Sequence, residues 1–183
     1  VADAKRDLAD MEETLEEYLA FARGEWTDEL EPMSLTALVA DIAAAHTRSG
    51  AALTLVQPDQ PIEVTGRPGA LKRCLANLID NAIAHGAKVQ VETVATGQGV
   101  EVRVDDDGPG IDPALYEDAF RPFSRLDETR TRNAKGVGLG LAIARDVARA
   151  HGGEITLSKS PLGGLRAALR LPQRMDQRMP LRP

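Results

Sequence analysis

The residues best suited to chemistry fall in three short stretches and one basic loop. Asp105-Asp106-Asp107-Gly108-Pro109-Gly110-Ile111 follows a valine-rich run, so a strand delivers carboxylates into a turn whose glycines let another molecule approach the backbone. The carboxylate of Asp107, held at the strand end, can accept a hydrogen bond from an exocyclic amine such as that of adenine. An oxo group at that place has no proton to give. Taken alone, such a stretch is more often only a loop. Asn77 and Asn81 stand four apart, so their side chains share one helix face, one turn from each other. Each amide can bond locally, yet an amide oxygen is also a hard ligand that suits Mg2+ shared with phosphate oxygens.

The third stretch is Gly136-Val137-Gly138-Leu139-Gly140-Leu141, opening an apolar helix. Glycines there free backbone amides to point at phosphate, and the helix dipole adds to the attraction. It is neither a Walker loop, which needs Lys and Ser or Thr after its last glycine, nor a dinucleotide fingerprint, because Ile143 occupies the would-be third glycine. Between the glycine stretches, Arg121, Arg125, Arg130, Arg132 and Lys135 outnumber Asp127 and Glu128. A solvated loop explains such charge, and so does a basic lid that closes over a triphosphate. Phe120 and Phe123 are expected to anchor its entrance.

Periodicity supplies the elements that must position these groups. Ala4, Leu8, Met11, Leu15, Tyr18 and Ala22 form one seam of a helical bundle, which needs a partner helix to bury it. A polar stretch over 25–33 is expected as linker. Ser34 caps a helix ending near Ser49-Gly50, and short strands follow at 53–56 and 62–64. Pro68 opens a helix with an apolar face. Strands at 89–94 and 100–104 flank a Gly97-Gln98-Gly99 turn. A last helix begins near Leu139, and strands at 155–157 and 165–171 close the domain, with a loose tail over 173–183. The expected fold is an α/β (α+β) two-layer sandwich over 34–172, a mixed sheet with three helices on one face, plus the N-terminal coiled-coil-like helix over 1–24.

Composition narrows the function. A formal net charge of -6 and 3% aromatic residues argue against nucleic-acid binding. The single cysteine, Cys74, and the absence of Cys or His pairs at metal spacing point to a reducing compartment and no structural metal. No apolar run is long enough for a membrane span or signal peptide.

Taken together and in this order, the asparagine pair, Asp-Gly-Pro-Gly turn, Phe-bounded basic loop and Gly-x-Gly-x-Gly helix start resemble the N box, first glycine box, Phe box and second glycine box of histidine kinases. The resemblance covers about residues 68–153 and extends to residues 11–23, which are similar to the second helix of the dimerisation and histidine-phosphotransfer domain. Within the family the chain resembles osmosensor-type kinases of the EnvZ kind. The resemblance implies the Bergerat ATP-binding fold, with ATP and Mg2+ as cofactors. It gives Asp107 the adenine, Gly108, Gly110 and Ile111 the turn beneath the base, and Asn77 and Asn81 the N box, with Asn81 on Mg2+. Gly136, Val137, Gly138, Leu139 and Gly140 take the phosphates, and Arg125 and Lys135 take lid contacts.

The sequence departs from the family in two places. Ala84 stands where many relatives carry Lys or Arg, which shifts phosphate neutralisation to His85 or the lid. Neither His46, His85 nor His151 lies in the setting of the family's acceptor histidine, so that histidine is expected upstream, outside this sequence. The resemblance further implies phosphoryl transfer to that histidine and relay to a response-regulator aspartate. It also implies a homodimer through the N-terminal helix and a cytoplasmic placement, with the parent anchored in the bacterial inner membrane through segments not included here. The alternatives are an ATP hydrolase of the same fold, distinguished by turnover without an acceptor, and a nucleotide-binding pseudokinase, distinguished by failure to transfer.

Overall fold

The computed structural model describes residues 29–124 and 138–172. The seam over 4–22, the tail 173–183 and Arg125, Lys135, Gly136 and Val137 lie outside the described residues. A strand occupies part of the stretch expected as linker. Strand β1 (Glu31–Ser34) pairs antiparallel with β3 (Glu63–Gly66), and Met33, opposite Val64, packs against the core. Ser34 then caps α1 (Leu35–Arg48), its Oγ accepting from the Ala37 N–H at 3.4 Å. Leu35, Val39, Ile42 and Ala43 form the buried stripe of that helix.

After β2 (Leu53–Val56) and β3, α2 (Pro68–His85) opens on a proline, where no backbone N–H is needed. It buries Leu71, Cys74, Leu75, Leu78, Ile79 and Ala82. Strands β4 (Val89–Thr96) and β5 (Gly99–Asp106) join through a two-residue turn, Thr96 opposite Gly99. Helix α3 (Tyr116–Ala119) follows the first glycine turn, and α4 (Gly140–Ala150), β6 (Glu154–Lys159) and β7 (Leu165–Leu171) complete the chain order.

The main sheet has the order β2-β4-β5-β7-β6, with β2 parallel to β4 and every other pair antiparallel; β1 and β3 form a separate ribbon. The parallel pair is bridged by the crossover through α2, as parallel neighbours require. Val91, Val102, Val104 and Leu169 turn toward the helices and join Leu75, Leu78, Ile143 and Val147 in one core. The opposite face carries ion pairs instead: Arg103 with Glu92 and Glu101, Arg170 with Glu101, and Arg166 with Asp105. The expected two-layer sandwich, helices on one face, is the fold observed. None of the described helices is long and apolar enough to cross a membrane.

Helices α2 and α4 pack closely because α4 presents small residues, Ala144 and Ala148, at buried positions. The Cys74 thiol donates to the Ala144 carbonyl at 3.4 Å, and burial pushes its pKa up to about 12, so it packs as a neutral group. His151, just past α4, ties the same two helices together. Its Nε2 accepts from the Arg67 N–H at 3.0 Å, which leaves Nδ1–H to donate to the Val147 carbonyl at 2.7 Å. Burial lowers the pKa of His151 below its ordinary 6.5, the Val147 bond opposing this and the Arg67 charge adding to it.

The unfolded chain therefore takes up this proton first. The stability contributed by neutral His151 is complete above about pH 6.5 and is lost as pH falls through the folded-state pKa. Urea midpoints measured from pH 7.5 down to 5 should fall in the wild type, and His151→Phe should remove that part of the slope.

Candidate functional site

The three consecutive aspartates leave β5 in three directions. Asp105 falls on the open sheet face, where its carboxylate, 0% exposed, receives the Arg166 guanidinium on both oxygens at 2.8 Å each. Asp106 follows the parity of Val102 and Val104 and turns toward the helices, 3% exposed. Its Oδ1 accepts from the Gly108 N–H at 2.8 Å and the Leu165 N–H at 3.2 Å. Among the described residues no bond falls on Oδ2. Asp107 turns back to the end of α2, its Oδ1 accepting from the Ala87 and Lys88 amides at 2.7 and 2.8 Å.

The two carboxylates therefore differ in character. Desolvation raises the pKa of Asp106, opposed by its Leu165 and Gly108 bonds. The Lys88 amide bond leads the causes that hold Asp107 below the usual carboxylate range. A desolvated carboxylate with an open oxygen gains from a ligand N–H, whereas an exposed one already has water. The geometry thus favours Asp106 over the sequence-expected Asp107 as the purine-facing group. The missed signal was parity: extending the strand two residues past Val104 places Asp106 inward, and the pairing of Asp106 with Val89 of β4 makes that extension.

Asn77 and Asn81 lie on α2, the helix whose C-cap Gly86 abuts Asp106, one turn apart and both half-buried. Asn77 backs onto the start of α4, where a methyl on Gly140 would rest 3.7 Å from Cγ. Asn77 and Gly140, from two separate stretches of the sequence, are thereby neighbours. Asn77 Nδ2 is buried with no hydrogen-bond partner among the described residues, an arrangement that suits an anionic ligand at the junction of α2 and α4. No group of three or more His, Cys, Asp or Glu among the described residues could cage a metal ion. An amide oxygen such as that of Asn81 fits a Mg2+ that takes its remaining ligands from phosphate and water.

Gly108, Gly110 and Ile111 form the turn leaving β5. A methyl at Gly108 would stand 2.5 Å from the His85 carbonyl, so only glycine lets this turn cross the end of α2. His85 itself is exposed beside Asp106, and its charge, when present, lowers the Asp106 pKa. Leu139 is buried just before α4, and Gly138, at φ +77, lies against Phe123 and Ser124. The Phe123 N–H donates to the Gly138 carbonyl at 3.0 Å, so the two described ends of the basic loop meet. Phe120 anchors this region, buried under the Arg145 guanidinium at 4.3 Å. Phe123 does not: it is 59% exposed in a left-handed conformation, φ 62.

His46 faces Asp80 at 3.6 Å between α1 and α2, and His151 is the structural tie described above. An open cleft of about 570 Å3 lies at the other end of β5, lined by Gln98, Glu101, Glu154 and Arg170. It is remote from the aspartates and asparagines. A second residue the sequence reading missed is Gly164, whose amide donates to the Asp106 carbonyl at 3.1 Å.

Residues 66–175 match the family described as histidine kinase-, DNA gyrase B-, and HSP90-like ATPase. Sensor histidine kinase CpxA of Escherichia coli (strain K12) is 42% identical over 124 residues, 67% of this chain and 27% of CpxA. Sensor-type histidine kinase PrrB of Mycobacterium tuberculosis (strain H37Rv) is 36% identical over 176 residues, 93% of this chain and 39% of PrrB. The chain thus spans well under half the length of the curated relatives it matches. Among solved structures, the ATP-binding domain of PrrB from Mycobacterium tuberculosis superposes with a TM-score of 0.65 at 33% identity, covering 79% of this chain and 98% of that one. The histidine kinase domain of the E. coli osmosensor EnvZ gives a TM-score of 0.62 at 30% identity, covering 84% and 94%. The chain belongs to the histidine kinase-, DNA gyrase B- and HSP90-like ATPase family, as an ATP-binding catalytic domain of the sensor histidine kinase kind.

Proposed function

We propose that the protein containing this chain is a protein-histidine kinase, and that this domain presents the γ-phosphoryl group of ATP to a histidine on a separate helical segment. The observation that carries the reading is the orphaned Asn77 amide at the junction of α2 and α4, on the same helix whose C-cap, Gly86, abuts Asp106. In the reaction the acceptor imidazole nitrogen forms a bond to the γ-phosphorus as the bond to the β,γ-bridging oxygen breaks, and ADP leaves. Asp106 Oδ2 orients the purine by accepting from its exocyclic amine. Asn77 Nδ2 and the backbone at the start of α4 donate to the phosphates. Asn81 would hold Mg2+, which when bound neutralises charge on the phosphate oxygens. Arg125, Lys135, Gly136 and Val137 complete the phosphate contacts.

In this reading the seam over 4–22 forms a homodimer and phosphohistidine passes to a response-regulator aspartate. The parent is held at the bacterial inner membrane through other segments. A nucleotide-binding scaffold without transfer is the second reading, favoured by Ala84 in place of a phosphate-reaching cation.

Calorimetry on single variants tests the purine assignment. Asp106→Asn should weaken adenine-nucleotide binding about 10- to 100-fold, because the amide leaves the buried site without its charged acceptor. Asp107→Asn should change affinity less than about threefold. The reverse order would return the role to Asp107. Labelled ATP mixed with a histidine-bearing phosphotransfer segment should yield phosphohistidine, and nucleotide binding without any transfer would establish the scaffold.

A further inference from the structure

We infer that the β6–β7 turn, through Gly164, is the specificity-determining support of the purine pocket, fixing the Asp106 carboxylate so that the site prefers a 6-amino over a 6-oxo purine. The inference rests on the assignment of purine recognition to Asp106.

Two backbone donors from this turn, 58 and 59 residues away in sequence, fasten Asp106. The Gly164 N–H donates to its carbonyl at 3.1 Å and the Leu165 N–H to its Oδ1 at 3.2 Å, the oxygen that also receives the Gly108 N–H at 2.8 Å. With both side-chain donors on Oδ1, Oδ2 is left as an acceptor that cannot swing aside without breaking them. The contact is too close for any side chain. A methyl at Gly164 would stand 2.1 Å from Asp106 Oδ1 and 2.5 Å from the Gly108 nitrogen, and the second neighbour is backbone.

The turn is itself held. The Ser160 N–H donates to the Gly164 carbonyl at 2.9 Å, the Gly163 N–H to the Ser160 carbonyl at 3.0 Å, and the Leu162 N–H to Ser160 Oγ at 3.0 Å. The Gly164 carbonyl also lies under Gly110, where a methyl would meet it at 3.3 Å. One turn therefore braces both the carboxylate and the glycine turn beneath the base. A 6-oxo purine would set its oxygen against a fixed acceptor, and a carboxylate able to rotate would relieve that clash. Gly164 is thus a positioning residue that acts through Asp106.

The test compares ADP with IDP, which carries an oxo group in place of the amine, by calorimetry on the full chain. Gly164→Ala should lower the ADP-over-IDP affinity ratio about tenfold or more. Gly50→Ala strains a different turn, at φ +97 in open space after α1, and should lower the urea midpoint with the ratio unchanged. An unaltered ratio in Gly164→Ala, or an equal fall in both variants, would overturn the inference. Should Gly164→Ala not fold, amide exchange in the nucleotide-free wild type decides. Protection of the Leu165 and Gly108 amides is expected, and exchange at the rate of an open loop would overturn it. Full ADP affinity in Asp106→Asn would instead remove the underlying assignment.

Discussion

Asn81→Ala should retain nucleotide binding in the absence of magnesium and lose phosphotransfer by about 10²–10³-fold when magnesium is supplied. The size follows from what the residue offers. On the proposed reading, the Asn81 amide oxygen on α2 would be the protein's share of the Mg2+ coordination. Removing it leaves the triphosphate bound by its base and by backbone amides, with the charge on the transferring group uncompensated. Asn81 is half-buried on a helix that alanine favours, so the fold should not suffer, and the urea midpoint should be unchanged or slightly raised. Binding and transfer would then separate cleanly. Wild-type transfer by the variant at saturating magnesium would remove Asn81 from the site, and a parallel collapse of magnesium-free binding would make its role structural.

Arg166→Leu should destabilise the domain by about 3–5 kcal/mol, without any contact to the nucleotide site. Asp105 has no exposed surface, and both of its oxygens are taken by one guanidinium. Deleting that partner strands a buried carboxylate between two strands. About a quarter of the Arg166 side chain reaches water, which places the effect toward the lower end of the range. The double variant Asp105→Leu with Arg166→Leu should recover most of the loss, since apolar groups can replace a buried pair at little net cost. Denaturant melts of the two single variants and the double give the coupling directly. Additive losses would show that the pair is not the source of the stability.

The difference between these predictions reflects what each face of β5 does. The helix-covered side carries Val100, Val102 and Val104 and ends on Asp106, whereas the open side carries Glu101, Arg103 and Asp105 in a row of ion pairs. A shift of one residue in register would exchange the two sets and put the paired carboxylate where the purine group belongs. Stability and recognition are thus coupled through the register that the Arg166 pair helps to set.

The sequence by itself determined the elements and their order, because each announces itself locally. Ser34 and Pro68 mark helix starts, three- and four-residue apolar spacing marks buried helix faces, and Gly97-Gln98 marks a hairpin. It also marked the asparagines, the aspartate turn and the glycine helix start as candidates for one site, since their types and order are chemically unusual together.

Only the tertiary structure decided which aspartate turns toward the helices. Adjacent strand residues point to opposite faces, and the choice among Asp105, Asp106 and Asp107 depends on where pairing with β4 ends, which no local pattern states. Phe123 was misjudged for a related reason. The Arg145 guanidinium that shelters Phe120 comes from a helix twenty-five residues further along, and among the described residues nothing comparable reaches Phe123. Gly164 was invisible for the same cause: its importance lies in a backbone approach to Asp106 across long sequence separation, and a glycine in a hairpin looks alike whether or not another chain segment presses against it.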